Sequence, residues 1–232
     1  MGFLQTNIPF PSIDIGLGVA DGPGDVAVSL QILLLLTILS LAPAILTLMT
    51  SFTRTVIVLS LIRNALGTNQ VPPNQVLVGL ALFLTAFIMA PSFGAVYTNA
   101  LSPYLAGELA LEEAWEIGVE PIREFMIRNT REKDLEMFIN VRGEERPDTP
   151  EDINTLTLIP AFVISELKTA FQLAFVIFIP FLVIDMVVAS TLMGMGMMML
   201  PPVMISLPFK ILLFILVDGW HLIVRSLLLS FS

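Results

Sequence analysis

"IPFLVIDMVVASTLMGMGMMMLPPVMISLPFK", Ile179 to Lys210, sets two apolar arms around a turn that holds Met193, Met195, Met197, Met198 and Met199 with Gly194, Gly196, Pro201 and Pro202. Glycine frees the backbone and proline breaks a continuing helix, so the arms read as an antiparallel helical hairpin. Asp185 lies twelve residues before Met197, and Lys210 lies twelve after Met198. Residues equidistant from a reversal share one depth, here about 18 Å along the helices at 1.5 Å per residue. The spacing predicts an Asp185 to Lys210 ion pair, within a chain or between subunits, because charges in apolar helices are costly unless paired.

The rest of the chain has the same bias. Of 232 residues, 56% are hydrophobic and 13% charged, against a usual charged share of about a quarter. The mean hydropathy is +0.88, and several runs approach the roughly 20 apolar residues that a spanning helix needs. These features predict an all-α, helical membrane-associated protein with kinked hydrophobic hairpins and an amphipathic, outward-facing segment. Cysteine is absent, which removes disulfide frameworks and thiolate metal sites.

The runs divide the chain into a 1–25 N-terminal extension, a first helical hairpin 26–97, an acidic segment 98–158, and a second hairpin 159–232 carrying the loop 193–202. In the first hairpin, a run over Val26–Met49 is interrupted by Pro43, and Pro73 opens a second span over Val76–Tyr97. Between them Arg54 and Arg63 sit without an acid. They read as topology anchors that place this loop in the cytoplasm and the N-terminus, acidic segment and C-terminus outside. The opening 28 residues contain Asp14, Asp21 and Asp25 and no base, so a cleaved signal peptide of the usual pattern is not visible.

Residues 98–158 carry fourteen acidic against six basic side chains, much of the net charge of −9, a surface that disfavours nucleic acid. Helix starts are expected at Ser102–Pro103 and Glu120–Pro121, a stop at Gly143, and a further start in "DTPED" (148–152). From Leu156 to Met193 a helix bearing Glu166 and Lys168 is expected to precede a third span near Leu173–Met193. A fourth follows over Val203–Leu229.

Glu166 and Lys168 read as an interfacial pair at a helix end, with contact to a substrate as the other reading. His221 is the sole histidine; alone it builds neither a zinc site nor a triad, so a helix-interface hydrogen bond is expected. No P-loop, metal motif or nucleophile elbow is present. No enzyme activity and no cofactor are expected. The methionines fit two uses: flexible core filling at a turn, or, if several copies converge on an axis, a deformable apolar constriction that closes by dewetting.

"FTRTVIVLSLIRNALGTNQVPPNQVLVGLALFLTAFIMAP", "FVISELKTAFQ" and "IPFLVIDMVVASTLMGMGMMMLPPVMISLPFKILLFILVDGW" closely resemble the FliP family of flagellar type III export-gate proteins, from about Ile32 to Arg225. The resemblance implies a pentameric channel subunit of the inner membrane, within the flagellar basal body. Its partners would be FliQ and FliR, with further contact to FlhA and FlhB, and its cargo unfolded flagellar proteins. It also implies that Met193 through Met199 form a gasket, that Asp185 and Lys210 are the family's charged pair, and that the assembled ring is lifted largely above the membrane plane. A homologous subunit of a virulence injectisome and, in another class, a secondary transporter are the alternatives; the latter should show internal repeats, and none is visible.

Overall fold

The computed structural model describes residues 23–68, 70–143, 147, 149, 152–197 and 199–231. Most of the 1–25 extension and Met198 lie outside the described residues. Packing divides the chain into Met1–Ala42 and Pro43–Ser232. Helix α1 (Pro23–Met49) begins in the first unit, exposes Leu33, Leu36 and Leu39, and continues as helix through Pro43.

In the second unit, the expected loop bearing Arg54 and Arg63 is a helix instead, α2 (Phe52–Leu66), ended by Gly67. Val58, Leu59, Ile62, Ala65 and Leu66 are buried and recur at the spacing of one helical face. That face outweighs the two charges. The chain turns by 65° at residues 50–51, between the end of α1 and α2.

Helix α3 (Asn74–Val96) follows Pro73 and passes through a π-turn (Tyr97–Leu101) into α4 (Ser102–Leu105). Helix α4 does begin at Ser102 with Pro103 in its first turn, but Ser102 is no cap: it is itself helical at φ −63°, ψ −48° and continues from the π-turn. The wider π-turn makes room for the Pro103 ring, which would otherwise meet the carbonyl four residues back. Helix α5 (Leu111–Asn129) likewise runs through Pro121, having begun ten residues earlier after extended Ala110. Glu112 and Glu113 in its first turn and Arg128 in its last suit the helix dipole.

Helix α6 (Glu132–Arg142) stops at Gly143. The start expected in "DTPED" falls largely outside the described residues, which lack 148, 150 and 151; the next described α-helix begins at Thr155, where the Asn154 side chain accepts from the Leu156 N–H. It is α7 (Thr155–Gly194), a single 40-residue helix with Pro160 and Pro180 inside it. The break expected between Glu166 and Leu173 does not occur. At 1.5 Å per residue α7 is about 60 Å long, twice the ~30 Å of bilayer hydrocarbon.

The run expected over Val203–Leu229 is broken into α8 (Pro202–Leu216) and α9 (Gly219–Leu229), bent by 64°. Asp218 takes the left-handed conformation at the break, φ 52°. Glycine follows of necessity, because a Cβ at 219 would lie 2.3 Å from the Phe214 ring.

Helix α7 is the spine and packs against α2, α5, α6 and α8. One apolar cluster gathers Leu59, Leu77, Ala170, Phe181, Phe214 and Ile223 around α2; a second joins Met89, Phe125, Met126, Leu158 and Phe162 where α5 meets α3 and α7. Among the described residues, Asn74–Leu105 and Thr155–Gly194 are long and apolar enough to cross a membrane; each bent pair counted as a span raises the number to four.

Candidate functional site

Arg54 leaves α2 into the interior and is 2% exposed. Its guanidinium forks onto Glu166 of α7: Nε donates to Oε2 at 2.9 Å, and Nη2 donates to Oε1. Nη1 donates to the carbonyl and hydroxyl of Ser230 at 2.7 and 2.9 Å, and Nη2 also reaches Asn129 Oδ1 at 3.3 Å. The cation lies 3.7 Å from the centre of the Phe231 ring, a favourable face for a guanidinium. All five N–H groups thus have acceptors, and the fully buried Glu166 has both oxygens engaged. One residue therefore ties α2, α5, α7 and the chain end together.

Arg54 is accordingly not a loop anchor, and Glu166 is not paired with Lys168. Two residues along a helix are about 200° apart around its axis, so Lys168 points outward and is exposed while Glu166 is buried. Arg63 donates to Asn74 Oδ1 at 2.5 Å and joins α2 to the start of α3. His221 is exposed on α9 and makes no hydrogen bond with the described residues.

The structure brings Asp185 and Lys210 together. Lys210 Nζ donates to Asp185 Oδ2 at 2.5 Å and to the Ala65 carbonyl at 3.2 Å, while the Ser206 hydroxyl donates to Asp185 Oδ1 at 2.6 Å. The lysine side chain is 4% exposed and the aspartate 34%, so the cation is the buried member. Ala65 lies in the last turn of α2, where carbonyls lack intrahelical partners and a cation complements the helix dipole. Lys210 therefore joins the α7–α8 hairpin to the end of α2, a contact that hairpin spacing does not contain.

Between the arms, α7 closes in a Schellman turn: Gly196 N–H donates to the Met193 carbonyl at 3.0 Å and Met197 N–H to the Leu192 carbonyl at 3.0 Å. Gly196 supplies the required left-handed residue at φ 74°. The loop is a defined reversal, and its described methionines face out; Met193, Met195 and Met197 are exposed, Met199 at 98%.

Farther up α7 the acidic segment is clamped by hydrogen bonds. Ser165 Oγ accepts from Arg131 N–H at 3.0 Å and donates to Asp134 Oδ2 at 2.8 Å. Arg131 Nη2 reaches Thr169 Oγ1 at 3.2 Å and Gln172 Oε1. Arg123 donates to the Ile153 carbonyl at 2.8 Å and to Thr155, and Arg142 to Thr157 at 3.0 Å. Four of the helices thus meet α7 through polar contacts as well as apolar ones. Among the described residues no group of three or more His, Asp or Glu is placed to hold a metal ion.

These features define a helical, membrane-associated protein built on one long spine, with the Arg54–Glu166 and Asp185–Lys210 ion pairs set against it and an exposed methionine hairpin. The profile of the FliP family matches residues 35–227, a stretch that contains Arg54, Glu166, Asp185, Lys210 and the whole methionine loop. The chain belongs to the FliP family. It is 60% identical over 217 residues, 94% of this chain and 98% of the relative, to the flagellar biosynthetic protein FliP of Bacillus subtilis. The protein of the same name from Pectobacterium carotovorum is 57% identical, with 88% and 79% covered, and that of Aquifex aeolicus 46%, with 100% and 95% covered.

Proposed function

We propose that this chain is a non-enzymatic core channel subunit of the flagellar type III protein-export gate in the bacterial inner membrane. It assembles as a homo-oligomer, a pentamer with FliQ and FliR, contacts FlhA, FlhB and the flagellar basal body, and passes unfolded flagellar proteins. The observation that carries this reading is the family match over residues 35–227. The relatives' flagellar names favour the flagellum over an injectisome.

The geometry supports the mechanism. A ring of α7–α8 hairpins would converge at the methionine loops, whose unbranched side chains repack around a passing chain and close when it leaves. The Asp185–Lys210 pair and the Lys210 contact to α2 hold each loop at one height. Residues 98–158 form an outward-facing periplasmic collar fixed to α7 by Arg131, Asp134 and Ser165. Large exposed apolar side chains such as Phe83, Phe87, Leu212 and Ile215 suit burial against lipid or neighbouring subunits.

A deletion strain complemented with this chain tests the reading. Motility and secretion of flagellar subunits should both return, and the chain purified with FliQ and FliR should image as a closed ring. Restored motility without flagellar secretion, or solute uptake by the chain alone in vesicles, would overturn it.

A further inference from the structure

Helix α7 is tied to α2 at two heights. Glu166 takes the fork of Arg54, and farther along Asp185 pairs with Lys210, which also donates to the Ala65 carbonyl at 3.2 Å. Pro180 falls between these ties, fourteen residues past Glu166 and five before Asp185. A proline offers no N–H to the carbonyl four residues back, here that of Val176, and its ring crowds that carbonyl, so a helix bends most readily there. From Leu173 to Ile184 every side chain is apolar, and none can bridge the weak point with a hydrogen bond. Pro160, by contrast, lies in the stretch where Thr155, Thr157 and Ser165 are held by Arg123, Arg142 and Arg131. Helix α2 has no proline or glycine within its fifteen residues, and Arg54 to Ala65 covers about 16 Å of it. Beyond Pro180 the two arms are joined to each other: Ser206 donates to Asp185 at 2.6 Å, and the Phe181 and Phe214 rings lie 6.4 Å apart.

We propose that α2 splints α7 across Pro180, and that the methionine hairpin pivots at this proline when the bond from Lys210 to the Ala65 carbonyl opens. Lys210 is then a positioning residue, acting on the loop through α7. The pivot is a working part of the proposed export gate and rests on that function for its purpose. About 20 Å of helix separates Pro180 from Gly194, so a bend of about 20° carries the loop about 7 Å sideways. The Schellman turn travels with it unchanged.

The chain has no cysteine, so spin labels on Asn64→Cys and Met199→Cys, both exposed positions, report the hairpin against the end of α2. The full chain is measured in detergent by pulsed electron resonance, diluted with unlabelled chain so that distances within one copy dominate. The parent should give one narrow distance distribution. Lys210→Met should about double its width, because a pivot freed of its tie samples a range of bends. Asp185 keeps the Ser206 hydroxyl and is 34% exposed, so helical circular dichroism should not change. Adding Pro180→Ala should return the width to the parent value, since alanine restores the missing N–H and stiffens the rod; this non-additivity is the signature of the splint. A width unmoved by Lys210→Met, a broadening that persists with Pro180→Ala, or loss of helical signal in Lys210→Met would each overturn the proposal. The distances need no assembled gate, so their failure is distinct from failed complementation, which bears on the export function.

Discussion

Arg54 and Glu166, 112 residues apart in the chain, meet through two parallel hydrogen bonds in an interior from which both are almost wholly withdrawn from solvent. The fork fixes the height of α2 on α7, and the remaining guanidinium bonds fix α5 and the chain end. Removing one partner leaves the other charge buried and uncompensated, which typically costs about 3–5 kcal/mol. Glu166→Gln and Arg54→Ala should therefore lower resistance to unfolding in detergent by that order, followed by helical circular dichroism against denaturant. Arg54→Lys should lie between them and the parent, because an ammonium keeps the charge and loses the fork. A denaturation midpoint unmoved by Glu166→Gln would refute the structural role.

The Asp185–Lys210 pair predicts a different pattern. Asp185→Lys or Lys210→Asp alone places like charges together and should abolish swimming in soft agar. The exchanged double variant should recover only partly, because the new carboxylate at position 210 faces the Ala65 carbonyl where an ammonium had donated. Full recovery would show that the α2 contact is dispensable, and no recovery would show that the two groups do not act as a pair.

Replacing Met195, Met197, Met198 and Met199 together with alanine should leave the backbone reversal intact, since the Schellman bonds involve no side chain. It should loosen closure, read as ion leakage or slowed growth in cells expressing the assembled gate. Gly196→Ala probes the opposite property: it keeps every methionine and strains the left-handed residue, at about 1–2 kcal/mol. A normal leak in the quadruple variant with normal assembly would remove the loop as the seal.

Gly219→Ala should destabilise the α8–α9 bend by about 1–3 kcal/mol or more, the range for overpacking. Phe214→Leu, which withdraws the obstructing ring, should recover part of that loss in a double-mutant cycle on thermal unfolding. Additive effects would mean that the two side chains do not compete for the same space.

The helical membrane class was plain from composition because apolar content is a bulk property that no packing detail can reverse. The Asp185–Lys210 separation was readable because both residues hang from one reversal, so depth follows from counting. Arg54 with Glu166 was not readable: no local period links residues separated by several helices, and Lys168 offered a nearer partner. Prolines misled for a related reason. Pro103 and Pro121 read as first-turn residues, but the π-turn ahead of Pro103 and the packing of α5 on α3 and α7 let the helix run through them. The bend at Asp218 escaped notice because the chain stays apolar across it, and only the collision at Gly219 shows why it is needed.

The unbroken helix from Thr155 to Gly194 imposes a phase constraint on mutation. Glu166 and Asp185 must face different partners from a single rod, and each inserted or deleted residue between them turns one relative to the other by about 100°. Substitutions there act one side chain at a time, but a single-codon insertion would misalign everything beyond it at once. Seven inserted residues would nearly restore the angle yet lengthen the rod by about 10 Å. The number of residues between those two acids should therefore stay constant among working genes while their identities drift.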